Sequence, residues 1–248
     1  MAATDPELAK AVAGSWRSPA LVARDGARHP AEELTFFGLK PDMTVVEIWP
    51  SGGYWTEILG PYLHDHGTYY AAVVPRGASD RAEQAVEAFQ AKLAANKAIY
   101  GNVKLSEFGR TMSNIAPPGS ADLVVTFRNF HNWVGGNWAP QALAAFYTAL
   151  KPGGILGVED HRAANDKPQD PKAESGYVRQ DYTIEMAKKA GFEFVGASEI
   201  DANPRDTKDY PEGVWTLPPD LTLGTKDRAK YVAIGEADNF VLKFRKPK

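Results

Sequence analysis

Val45-Val46-Glu47-Ile48-Trp49-Pro50-Ser51-Gly52-Gly53-Tyr54 is the most informative run in the chain. It begins within Met43 to Trp49, apolar and β-branched residues without polar alternation, which suits a strand covered on both faces of a parallel sheet. The acid Glu47 near the strand's end and the glycine-bearing turn behind it, leading into a helix through Leu63, bring a carboxylate and free backbone N–H groups to the sheet's carboxyl edge. Ligands bind such sheets there. A plain strand-to-helix connection carries the same glycines, so the run by itself leaves both readings open.

Outward from that run the chain alternates between strand-like and helix-like segments. Upstream, Asp5-Pro6, Ser18-Pro19 and His29-Pro30 each mark a helix start. The first two have an N-cap oxygen before a proline, whose missing N–H costs nothing at the first helical position. Gly38 closes the third helix. Downstream, strands are expected at 68–74, 103–108, 122–127, 155–159, 192–200 and 239–244, and helices at 80–96, 140–150 and 181–190. Turns fall at Pro117-Pro118-Gly119 and Lys151-Pro152-Gly153-Gly154. Strand after helix after strand at this spacing is the doubly wound α/β pattern. The segment of about 40 residues before the last strand exceeds an ordinary connection and reads as a functional cap, at about 201–238. One structural unit is expected, a helical lid over 1–38 and an α/β domain over 39–248 that carries the cap.

Composition excludes several classes. At 248 residues and 44% hydrophobic, the chain can bury a core without a metal or disulfide staple. Lys+Arg 28 against Asp+Glu 31 gives a formal net charge of -3, which is no footprint for a nucleic-acid backbone. No apolar run approaches the roughly 18 residues of a membrane span. Cysteine is absent, and with it thiolate nucleophiles, Cys-based zinc sites and disulfides. Met1 to Lys10 lacks the basic start and apolar core of a secretory signal. The chain reads as cytoplasmic as it stands, and as periplasmic if a signal has been removed.

Leu150-Lys151-Pro152-Gly153-Gly154-Ile155-Leu156, with Ala121-Asp122-Leu123-Val124-Val125-Thr126 upstream, resembles the class I S-adenosylmethionine-dependent methyltransferases. The resemblance spans roughly 33–244. Arg28-His29-Pro30, Phe36-Phe37-Gly38, Val45 to Trp55, Arg128-Asn129-Phe130-His131-Asn132-Trp133, Glu159-Asp160-His161-Arg162 and Gly213-Val214-Trp215-Thr216-Leu217-Pro218-Pro219 look like a family of bacterial proteins described only as predicted methyltransferases, many with export signals. The resemblance implies a mostly parallel, seven-stranded Rossmann-like sheet with an antiparallel last strand, and S-adenosylmethionine lying across the ends of the first strands. Residue by residue, Glu47 matches the acid that neutralises the cofactor's amino-acid portion, and Ser51, Gly52, Gly53 and Tyr54 match the turn against which that portion packs. Arg128 and Asn129 are counted with them. Trp49 and Ser51 stand where the family has its first two glycines, and only Gly53 keeps its place. The second strand ends Val73-Val74-Pro75 without the carboxylate that holds the ribose. Glu107-Phe108-Gly109 lacks the aspartate that meets the adenine amino group, which leaves Glu107 or Ser106 for that position.

Methyl transfer from a sulfonium asks little of a protein beyond aligning the acceptor and, where required, removing its proton. His131, after the fourth strand, and His161, past the fifth beside Glu159 and Asp160, are the candidate bases, imidazole titrating at about 6.5. A loop histidine hydrogen-bonded beside Asn132 and Trp133 is the plain alternative for His131. His131, Glu159 and His161 together suggest a zinc or iron set, but their spacing assigns no metal. Tyr177, Arg179 and Tyr182, at a helix start, and Trp215, in the cap, are the candidate substrate contacts. His64 and His66 read as surface residues. The expected function is S-adenosylmethionine-dependent methyl transfer to a small molecule. The alternative is a methyltransferase-like fold whose altered donor site binds another small ligand or partner without methyl transfer. A nicotinamide-dependent oxidoreductase is disfavoured, because the turn lacks GxGxxG and the second strand lacks its acid.

Overall fold

A computed structural model describes residues 5–248. Residues 1–4 of the expected lid lie outside the described residues. Four short helices come first, α1 (Pro6–Val12), α2 (Pro19–Val22), α3 (Asp25–Arg28) and α4 (Pro30–Phe37). Asp5 caps α1 as expected, Oδ1 accepting from Glu7 N at 2.9 Å. Ser18 does not cap α2. Its amide and hydroxyl donate to the Glu57 carboxylate at 2.8 and 2.6 Å, charge-assisted bonds that hold the side chain toward Glu57.

The sheet is then laid down by β1 (Thr44–Ile48), α5 (Thr56–Leu63), β2 (Thr68–Val73), α6 (Asp80–Ala95), α7 (Lys97–Tyr100), β3 (Lys104–Glu107), β4 (Ala121–Phe127), α8 (Phe130–Gly135), α9 (Ala139–Ala149), β5 (Leu150–His161), α10 (Gln180–Lys189), β6 (Glu193–Ser198), α11 (Arg228–Ile234) and β7 (Asn239–Arg245). Its seven strands run in the order β3-β2-β1-β4-β5-β7-β6. β7 enters between β5 and β6, antiparallel to both, and the other pairings are parallel. The expected doubly wound sheet with an antiparallel last strand is therefore present. Val46, Ile48, Val124, Leu156 and Phe240 cover one face against α8, α9 and α10. Val45, Ala71, Leu123, Val125 and Val241 cover the other against α1, α4, α5 and α6. A smaller core joins Tyr177 to Val214, Leu217, Tyr231 and Ala237 of the segment before β7. Among the described residues no helix is long and apolar enough to cross a membrane.

Three local expectations are corrected. The helix after β1 begins at Thr56, because Ser51 to Trp55 continue the turn. The Lys151-Pro152-Gly153-Gly154 segment lies inside β5: the register slips between Ala121/Leu150 and Leu123/Ile155, while Gly153 and Gly154 keep 2.8 Å bonds to Lys246 at the end of β7. His131 sits in α8 rather than in a loop, with Phe130, Trp133 and Val134 buried at helical spacing.

Candidate functional site

The turn after β1 keeps a glycine-type backbone largely without glycine. Trp49, Ser51 and Gly53 have φ of 52, 51 and 79°, all left-handed, a region that disfavours any residue with a Cβ. Trp49 continues the β1 ladder, its N–H donating to Ala72 O at 2.8 Å. Its indole N–H donates to Phe108 O at 2.9 Å, beyond the end of β3, where the family's adenine contact was expected. The ring lies among Phe108, Trp133 and Trp138, 5.6 to 6.1 Å between centres.

Two cavities meet at this turn, both bordered by Trp49, Pro50, Ser51 and Gly52. The larger, about 530 Å³, lies between the turn, Val73 and Val74 at the end of β2, and Ala82, Ala85, Val86 and Phe89 of α6. Its walls are mainly apolar, and Lys92 at its rim donates to Gly52 O at 2.9 Å and pairs with Glu57 at 2.7 Å. The smaller, about 110 Å³, is bounded by Glu47, Tyr54, Trp55, Phe127 and the arginines Arg24, Arg28 and Arg128.

Glu47 is 1% exposed. Its Oε2 accepts from the Tyr69 hydroxyl and, at 3.2 Å, from Thr56, while no hydrogen bond reaches Oε1 among the described residues. Burial raises its pKa to about 7 against the lowering pull of Tyr69, Thr56 and Lys92. A cation entering the small cavity would complete the missing partnership and favour the ionised form.

The three arginines converge on one carboxylate. Glu236 accepts from Arg24 Nε at 2.7 Å, Arg28 Nε at 3.2 Å and Arg128 Nη1 at 2.6 Å. Arg28 is 3% exposed and lies over the Tyr54 ring at 4.5 Å, yet its Nη2 has no partner. Three guanidiniums against one carboxylate leave the small cavity open to an anionic group.

Further along the sheet edge, Asp160 accepts from His131 N at 2.6 Å and His161 N at 2.8 Å and holds His131 Nδ1 at 2.9 Å. These bonds and the nearby His131 and His161 keep its carboxyl below the usual range despite burial. Burial lowers the His161 pKa to about 4. The aromatic candidates gather here, with Trp215 at 6.1 Å from His131 and Tyr177 at 6.4 Å from His161, ring centre to ring centre. Behind them Glu33, Glu159 and Asp201 are buried together, and burial raises all three pKa values.

Of the sequence candidates, Glu47, Trp49, Ser51, Gly52, Tyr54 and Arg128 border the cavities. His131, His161, Tyr177 and Trp215 form the separate cluster. Asn129 ties β1 to β4, its Nδ2 donating to Ile48 O at 3.0 Å. Gly53 supplies the turn, and its Cβ position would meet the Phe89 ring at 3.3 Å. Glu107 borders neither cavity, and Ser106 donates to Ile115 O at 2.8 Å. Arg179 is held by Asp181 and by Lys167 O at 2.6 Å, and Tyr182 packs on the core. Sequence reasoning misses Arg24, Arg28 and Glu236, which meet only in the fold. It also misses the partnership of Asp160 with His131, for which the Glu-Asp-His run was the available signal.

No family model and no curated protein matches the sequence. Solved structures do. A S-adenosylmethionine-dependent methyltransferase from Aquifex aeolicus superposes with a TM-score of 0.62 at 18% identity, over 92% of this chain and 93% of that one. The [4+2]-cyclase SpnF gives 0.60 at 16% identity over 97% and 91%. An arsenic(III) S-adenosylmethionine methyltransferase from Chlamydomonas reinhardtii gives 0.57 at 14% identity over 99% and 75%. Likeness at this level establishes the Rossmann-like methyltransferase fold and not its chemistry.

Proposed function

We propose that this chain transfers a methyl group from S-adenosylmethionine to a small-molecule acceptor. The observation that carries the reading is the pair of cavities meeting at the Trp49 to Gly52 turn. The residues fit the cofactor on three counts. The larger cavity suits a nucleoside, the unpartnered Arg28 Nη2 suits a carboxylate, and the free Oε1 of Glu47 suits an ammonium. When bound, the cofactor would supply an electrophilic methyl group. A lid over 1–38 is supported by Leu21, Arg24 and Arg28, which border the smaller cavity. His131, oriented through Nδ1 by Asp160, is the base toward the acceptor.

Calorimetry with S-adenosylmethionine and S-adenosylhomocysteine tests the reading. Saturable binding is expected, weakened by about 1.5–3 kcal/mol, roughly 10- to 150-fold, in Glu47→Gln. His131→Ala should leave donor affinity unchanged and lower turnover about 10²-fold. Absence of binding at millimolar ligand would overturn the assignment. A second reading rests on Trp49, whose indole holds the Phe108 carbonyl: the fold then binds another small ligand or partner without methyl transfer. Mass spectrometry of copurified ligands separates the two, since stoichiometric S-adenosylhomocysteine would refute the second.

A further inference from the structure

Away from the cavities, His131 in α8 and His161 at the end of β5 lie with ring centres 5.4 Å apart and planes inclined by 32°. Their Nδ1 atoms are both engaged by acceptors. Asp160, which already accepts two backbone N–H groups, stands 2.9 Å from His131 Nδ1, so that nitrogen is the donor. Asn239 donates its Nδ2 to Glu159 Oε1 at 2.8 Å, which turns its carbonyl oxygen toward His161 Nδ1 at 2.8 Å and makes that nitrogen a donor as well. The lone pair of each ring is thereby placed on Nε2, and among the described residues no hydrogen bond reaches either Nε2.

We propose that His131 and His161 hold a divalent transition-metal ion of the zinc or copper class through their Nε2 atoms, with Asp160 and Asn239 fixing the rings from behind. One donor atom from each of His131, Asp160 and His161 lies within 4.8 Å of the others. Two imidazoles on one tetrahedral ion, with bonds of about 2.0–2.1 Å, place their ring centres roughly 5 Å apart. The observed 5.4 Å needs only a small closure. A carboxylate or carbonyl on the far nitrogen is the usual support of a metal-bound histidine, fixing tautomer and orientation. Imidazole nitrogen selects zinc, copper or nickel over magnesium or calcium. Glu159, grouped with the two histidines in the sequence, accepts instead from Asn239, while Asp160 supports His131 from its Nδ1 side. Trp215 and Tyr177 wall the site with rings, which leaves the remaining coordination positions to water or an exogenous ligand. An ion there takes the lone pair that the base reading gives to His131, so one bound state excludes the other role.

Long-range ¹H–¹⁵N spectra of the imidazoles in the full chain, titrated with Zn²⁺, test the proposal on the wild-type fold. The chain's 5 histidines make assignment tractable. Without metal, His131 and His161 should show the Nδ1–H tautomer. A single equivalent of Zn²⁺ should shift the Nε2 resonances of these two and leave His29, His64 and His66 in place. Zn²⁺ affinity should fall about 10- to 100-fold in Asp160→Asn and survive in the double variant His64→Ala, His66→Ala. Shifts confined to His29, His64 or His66, or none at millimolar Zn²⁺, would overturn it. Calorimetry with S-adenosylmethionine on chelator-treated protein reads the donor site separately, so either reading can fail alone.

Discussion

Trp49 and Ser51 hold the same left-handed backbone for different returns. Ser51 is exposed, and its hydroxyl makes only a 3.3 Å bond to Trp49 O. Glycine there relieves the Cβ conflict and loses little, so Ser51→Gly should stabilise the fold by about 0.5–1 kcal/mol, raising the melting temperature by about 1–4 °C. Trp49→Gly relieves the same conflict but empties an indole from the aromatic cluster, and should lower stability by about 3–5 kcal/mol in the same thermal scan. Glu47 makes a pH prediction. Its folded pKa of about 7 lies above the ordinary 4.5, so the folded state keeps a proton that the unfolded chain loses. Its contribution is therefore intact below about 4.5 and falls as pH rises through 7, by about 3 kcal/mol in all. Urea titrations at pH 5 and pH 8 should show that decline in the wild type and a flatter profile in Glu47→Gln.

Among the elements, α5 anchors the N-terminal segment through Glu57 and through Tyr62, whose hydroxyl donates to Asp5 Oδ2 at 2.6 Å. Glu57 accepts from Ser18 N and Ser18 Oγ and pairs with Lys92 of α6, and its carbonyl takes the Trp16 indole N–H at 2.9 Å. Glu57→Ala removes the acceptor of the Ser18 amide and hydroxyl and the carboxylate beside Lys92, which keeps its bond to Gly52 O, and should cost about 1–3 kcal/mol. Limited proteolysis should then cut first between α1 and α4, while the sheet resists. The strands β1, β4 and β7 were legible because their residues are apolar on both faces, and they fall within a residue or two of expectation. The helix α8 was not, since Phe-His-Asn-Trp-Val-Gly has little helical propensity, and burial of Phe130, Trp133 and Val134 holds it. The Lys-Pro-Gly-Gly run reads as a turn, but its glycines absorb a register slip inside β5. Glu47 and the turn were legible as part of a sheet-edge site because they are contiguous. The arginine cluster was not, because Glu236 lies 212 residues from Arg24 and 108 from Arg128.

Over the whole molecule, that Glu236 junction ties the helices around Arg24 and Arg28, Arg128 at the end of β4 and the segment after α11 to one another. Glu236→Ala should therefore speed amide exchange at both ends of the tie, in 19–28 and 228–237, and leave β1 and β2 protected. Mass-resolved hydrogen exchange would show it, and a change confined to one segment would argue against the coupling. The placement of β7 bears on biosynthesis. Emerging N-terminus first, the chain must carry β5 with an open edge, and β6 with nothing beside it, until Asn239 to Arg245 are made. An unpaired strand edge recruits other strands. Demand for a chaperone thus concentrates between translation of β5 and translation of β7, and a stop codon before Asn239 leaves a sheet in two unjoined parts.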